Sequence, residues 1–106
     1  MKRPYTQAFG RALDAAEHAT DDLLMQTINL GARRTTIRID RLTWAALQAM
    51  AQREGITVHE LCTAICSEGP RRYNFTIALR VAALRYYSDA ATEAGHRRAK
   101  HGRKLH

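Results

Sequence analysis

The sequence predicts a mainly α-helical chain with one short β-strand, and three observations carry that prediction. Residues 33–39 end in strict alternation, with Ile37 and Ile39 on one side and Thr36 and Arg38 on the other. Directly after them, Trp44, Leu47, Met50 and Ala51 recur at helical spacing. Thr57-Val58-His59-Glu60 then has the form of a capping box, in which the Thr hydroxyl and the Glu carboxylate each accept from the other residue's unpaired backbone N–H.

The elements follow in order. Residues 5–19 are rich in Ala and place Phe9, Leu13 and Ala16 on one helical stripe. Residues 20–30 admit two readings. Thr20-Asp21-Asp22 suits the start of a short helix through Leu23, Leu24 and Met25, whereas Ile28 and Leu30 alternate as a strand does. Gly31 breaks the pattern, and the predicted strand ends at Asp40, whose carboxylate can accept from the first free N–H groups of the next helix. That helix covers 41–53 and stops at Glu54-Gly55, since Gly tolerates the left-handed conformation common just past a helix end. A second helix carries Val58, Leu61, Cys62 and Ile65 inward and ends near residues 67–70. Arg71-Arg72-Tyr73 reads as a basic loop. Asn74 caps a third helix whose packing side is read as Ile77, Ala78, Val81 and Leu84, running to about Thr92 and closed by Gly95.

A lone strand leaves its backbone groups unpaired, so a partner strand is required. The simplest supplier is the same segment of a second copy, giving an antiparallel ribbon about a twofold axis. In that intertwined homodimer Ile37, Ile39, Trp44, Leu47, Leu61 and Ile65 form a shared core, and Arg34, Thr36 and Arg38 face outward. A two-stranded ribbon fits the major groove of B-DNA, where Arg can donate to guanine O6 and N7 and Thr can bond a base edge or touch a thymine methyl.

The ordered set of an alternating strand, Trp44-x-x-Leu47-x-x-Met50-Ala51, Glu54-Gly55-Ile56-Thr57-Val58 and Leu61 resembles the MetJ/Arc ribbon-helix-helix superfamily of transcriptional regulators. The continuation from Asn74 to Val81 and on through Arg85-Tyr86-Tyr87 is similar to a longer bacterial variety with an extra C-terminal helix. The resemblance covers about residues 33–88. It implies base contacts from Arg34, Thr36 and Arg38, and a phosphate held by the backbone N–H groups around Thr57, Val58 and His59, as helix N-termini can. Arg33, Arg71 and Arg72 join these as expected phosphate contacts. Repression of transcription is the expected consequence. The alternative is an antitoxin that binds its own promoter with the ribbon and a toxin through a terminal extension. An extension that stays disordered until a partner binds would favour that alternative, and one folded on the core would count against it.

Charge agrees with a polyanionic partner. The net charge of the 106 residues is +7, distributed as −1 over 1–31, +3 over 32–54, 0 over 55–95 and +5 over 96–106. The expected organisation is an N-terminal extension, partly helical, over 1–31, the ribbon-helix-helix domain with its third helix over 32–94, and a basic disordered tail over 95–106. With 106 residues and only seven aromatics, a single core gains from a second copy. The sequence reads as non-enzymatic, because it has no glycine-rich phosphate loop, no nucleophile elbow and no paired carboxylates in an apolar setting. No cofactor is expected.

His59, Cys62 and Cys66 share a helical stripe that a soft metal could use, but no fourth ligand is evident and the cysteines read as small core residues. Tyr86 and Tyr87 read as packing residues ahead of a base-stacking platform. Two cysteines in a basic chain fit a reducing compartment, and no apolar run approaches the ~20 residues of a membrane span. The N-terminus has no apolar signal region, so the expectation is a cytoplasmic, nucleoid-associated protein. Double-stranded DNA and a second copy are the expected partners, with no membrane; higher-order assembly on DNA and a protein partner for residues 1–31 are left open.

Overall fold

A computed structural model of the chain describes residues 5–31, 33–68 and 74–98, with Arg33 and the two helix ends at 67–68 and 94–98 described by backbone alone. The elements are α1 (Gln7–His18), β1 (Leu23–Leu30), β2 (Arg33–Asp40), α2 (Arg41–Glu54), α3 (Val58–Glu68) and α4 (Phe75–Arg98). Local chemistry sets their boundaries. The Thr6 hydroxyl caps α1 by accepting from the Phe9 N–H at 3.2 Å. Asp40 passes the chain from strand to helix without a loop, its carboxylate accepting from the Thr43 N–H at 2.9 Å and from the Thr43 hydroxyl at 2.8 Å. Gly55, at φ +73°, ends α2. The capping box forms as the spacing predicts: the Thr57 N–H donates to Glu60 at 2.8 Å, and the Glu60 N–H to the Thr57 hydroxyl at 3.0 Å. Asn74 caps α4 through the Ile77 N–H at 3.1 Å.

The ribbon corrects the sequence reading. β2 pairs antiparallel with β1 of the same chain, residue against residue from Leu23 and Asp40 at the open end to Leu30 and Arg33 at the turn. The fold therefore has two strands where one was expected, and the second is supplied within the chain. Physically, only two residues separate the strands, and Gly31 takes a φ of +68°, the left-handed conformation that a tight hairpin turn demands. The helix considered for Leu23 to Met25 is strand. Asp22 closes the open end, accepting from the Arg41 backbone N–H at 3.3 Å and pairing with its guanidinium at 3.3 Å. The ribbon thus crosses the 31/32 boundary that charge suggested.

One face of the hairpin covers the helices. Ile28, Ile37 and Ile39 pack with Trp44, Leu47, Met50 and Ala51 of α2, Leu61 and Cys62 of α3, and Leu79 and Ala83 of α4. The residues assigned to a shared dimer core are buried in a single chain, with Ile65 half-buried against them. The face of α4 is a second correction. Leu79 and Ala83 point inward with Phe75, Tyr86 and Tyr87, while Ile77, Val81 and Leu84 are exposed on the other side. The sequence carries apolar residues on both sides of this helix, and the inner one includes the aromatics that bury the larger area. α4 also continues through Gly95 to Arg98. α1 stands off the body: a cleft of about 620 Å³ opens between its Ala12, Ala15 and Ala16 and the Arg41, Leu42 and Ala45 side of α2.

Candidate nucleic-acid interface

The face of the ribbon turned away from the helices is set by the pleat. Residues directly opposed across an antiparallel pair share a face, so this register groups Met25 with Arg38, Thr27 with Thr36 and Asn29 with Arg34. All six are exposed. The central pair is tied by a 3.2 Å hydrogen bond between the Thr27 and Thr36 hydroxyls. The three residues singled out from sequence, Arg34, Thr36 and Arg38, thus lie together on one open face. Their neighbours Met25, Thr27 and Asn29 were not anticipated. The signal that could have found them is the alternation of Leu24, Ile28 and Leu30 up to a two-residue Gly-containing link, which reads as a hairpin arm.

Arg34 and Arg38, like Arg11 and Arg53, differ from three other arginines in having no carboxylate partner among the described residues. Arg41, Arg80 and Arg85 each engage a carboxylate: Asp22 at 3.3 Å, Asp40 at 3.1 Å and Asp89 at 3.2 Å. Among the described residues neither Arg34 nor Arg38 has an ion-pair partner. A guanidinium left without a carboxylate keeps its planar set of donors available to an acceptor from outside.

The ribbon is held from below and from the side. Asp40 receives Arg80 of α4 as well as Thr43; partial burial works to raise its pKa, but the Thr43 bonds and Arg80 outweigh that and hold the carboxyl below its ordinary value. On the β1 side, α3 meets the backbone of Asn29. The Asn29 N–H donates to His59 Nδ1 at 3.1 Å, and the Thr63 hydroxyl, whose shorter bond at 2.8 Å goes to the His59 carbonyl, lies 3.3 Å from the Asn29 carbonyl.

The expected phosphate site at the start of α3 looks different in detail. Thr57 and Glu60 satisfy each other, so the Thr57 N–H is occupied and a carboxylate sits beside it. The His59 ring faces β1. Val58 and His59 keep the helix N-terminal position that an anion would use. Arg71 and Arg72 lie outside the described residues, as do the side chain of Arg33 and the basic tail beyond residue 98.

Metal and stacking chemistry find little to build on here. Burial pushes the Cys62 thiol up to about 11, with Cys66 adding to the effect, and among the described residues no cluster of His, Cys, Asp or Glu is placed to hold a metal ion. The aromatic pair is used for packing. Tyr86 donates to Glu54 at 2.8 Å, which raises its pKa, and the Arg53 guanidinium lies over the Tyr87 ring at 5.6 Å.

An antiparallel ribbon packed on two successive helices, with a third behind them, defines the class. The profile of the ribbon-helix-helix domain matches residues 24–87, and the chain belongs to that family, whose domains bind DNA and are not enzymes. The match starts at Leu24 and so takes in β1. Among solved structures, an uncharacterized protein from Bordetella pertussis Tohama I is similar, with 26% identity and a TM-score of 0.63 over 83% of this chain and 74% of that one. No curated protein matches the chain. No helix among the described residues is long and apolar enough to cross a membrane.

Proposed function

We propose that this protein is a sequence-specific duplex DNA-binding regulator, a repressor, that lays its ribbon in the major groove with Arg34, Thr36 and Arg38 toward the base edges. The observation that carries the reading is the outer ribbon face: two arginines without carboxylate partners among the described residues flank a threonine, on a strand fixed to the core by Ile37 and Ile39. Arg at a guanine is the commonest specific base contact, and a good bidentate pair contributes about 1–3 kcal/mol of discrimination. Repression needs no further chemistry, because occupancy of a promoter competes with polymerase. The working unit is a homodimer. Surfaces open to the second copy include the helices, where Ile77, Val81 and Leu84 of α4 and Leu42 of α2 are exposed.

Selection from a random duplex library at near-physiological salt tests the reading, run with the wild type and with Arg38→Ala. A short motif enriched by the wild type and relaxed by the variant is the expected result. Failure of the wild type to enrich any motif would end the regulator reading.

The antitoxin alternative keeps one observation in its favour, the exposed Phe9 and Leu13 on α1, whereas α4 is folded on the core and so does not behave as an extension awaiting a partner. A neighbouring gene product that arrests growth, and is neutralised by the full chain but not by a chain lacking residues 1–20, would favour it.

A further inference from the structure

We propose that β1 is the flanking strand of a four-stranded sheet made by two copies, and that its Asn29 holds a DNA phosphate at the wall of the major groove, beside the start of α3. This rests on the DNA-binding reading above and adds a contact that the arginines of β2 do not make.

The two edges of the hairpin are unlike. In an antiparallel pair, opposed residues alternate between those that exchange backbone hydrogen bonds and those that turn their N–H and C=O away. Asn29 turns both away from β2: its N–H donates to His59 Nδ1 at 3.1 Å and its carbonyl lies 3.3 Å from the Thr63 hydroxyl, so α3 covers the β1 edge there. The alternation carries along the register. Arg34, Thr36 and Arg38, opposite Asn29, Thr27 and Met25, therefore turn their backbone groups away from β1 as well. The bond from the Arg41 N–H to the Asp22 carbonyl falls in the other set, as the alternation requires. Among the described residues nothing bonds the backbone of Arg34, Thr36 or Arg38 on that open side.

An open strand edge is a template for another strand. In a family whose domains dimerise, β2 of the second copy is the occupant that fits it. Pairing centred on Thr36 uses all of these groups and keeps a twofold axis through the reading surface. That register sets Arg34 beside the partner's Arg38, and a polyanionic duplex relieves the repulsion between them. The edge adds to the helix surfaces open to the second copy.

Width then decides what β1 does. Strands lie about 4.8 Å apart, so the two β1 strands of such a sheet stand about 14 Å from each other, whereas the major groove is about 12 Å wide. β2 of each copy lies over the bases and β1 at the phosphate walls. Of the outer residues of β1, Thr27 is bonded to Thr36 and Met25 is apolar, which leaves the Asn29 amide as the donor. Asn29 also lies beside the first turn of α3, where the capping box occupies the Thr57 N–H that an anion would otherwise use. An amide donor from β1 makes good that loss.

Two measurements on the full chain test the proposal. The first is residue-resolved amide hydrogen exchange of the wild type above and below the concentration at which its dimer dissociates. The Thr36 and Arg38 N–H groups should be protected in the dimer and exchange faster in the monomer, while the Asn29 N–H, bonded to His59, keeps its protection in both. Equal exchange of Thr36 and Arg38 in the two states would overturn the sheet, as would a chain that never dimerises. The second is affinity for the selected duplex and for a scrambled one, with Asn29→Ala, Asn29→Asp and Arg38→Ala, each checked for an unchanged thermal melt. Asn29→Ala should weaken both duplexes alike by about tenfold, with base preference intact. Its salt slope should stay that of the wild type, because a neutral donor releases no counterion. Asn29→Asp should weaken both further, and Arg38→Ala should change the preference itself. Unchanged affinity of Asn29→Ala, or a loss confined to particular base pairs, would overturn the phosphate contact while leaving DNA reading intact. A wild type that selects no motif and binds no duplex would overturn both.

Discussion

Asp40 shows how much one side chain can settle in this fold. It ends β2, caps α2 through Thr43 and holds Arg80 of α4, so three elements meet at one carboxylate. The cap was legible from sequence because it depends only on neighbours along the chain; Arg80 was not, since forty residues lie between the partners and their meeting depends on how α4 packs. Asp40→Ala should lower unfolding stability by about 1–2 kcal/mol at pH 7, the usual cost of losing an N-cap. Its pKa is depressed in the folded chain, so the ionised form is favoured there. The contribution is therefore complete above the ordinary carboxyl value of 3.8 and is lost as pH falls through the folded value. Denaturant melts at neutral pH and near pH 3 should show the wild type and Asp40→Ala converging in acid; a difference that persists unchanged would refute the role given to the charge. Cys62 is the opposite kind of residue. With its thiol pushed up to about 11, on the order of one molecule in a thousand carries a thiolate at pH 8. A thiol reagent should leave Cys62 unmodified in the native protein and react with it only after denaturation, as peptide mass spectrometry would show.

At the scale of elements, helices were legible and the first strand was not. Trp44, Leu47 and Met50 repeat over a stretch long enough to define a period, and all three are buried as expected. β1 carries a weaker signal because Gln26 interrupts its inner face, half-buried opposite Ile37, and because two acids precede it as they would a helix. For the same reason the outer face was half read, with Arg34, Thr36 and Arg38 found and Met25, Thr27 and Asn29 missed. Whether β1 belongs to the core can be measured. Ile28 has no exposed surface, and Ile28→Ala should cost about 2–5 kcal/mol, the range for truncating a buried Ile. A cost within experimental error of zero would mean that β1 lies elsewhere and that β2 finds another partner.

For the whole molecule, the hairpin and the helices beneath it share one core within a single chain, and further apolar surface stays exposed on the helices. α4 is the main such element. At about 100° per residue, Ile77, Val81 and Leu84 fall on the side roughly opposite Leu79 and Ala83. Sequence alone could not say which stripe turns inward, since both have the spacing of a packing face. Leu84 is 71% exposed and Val81 57%, and a long helix that is apolar on two sides is one that expects contact on both. Charge placed on the outer side should then disturb association without disturbing the fold. Val81→Glu with Leu84→Glu should convert the proposed homodimer to a monomer by sedimentation equilibrium, with a thermal melt that no longer depends on protein concentration. If the mass stayed that of a dimer, the second copy would have to be held by a different surface.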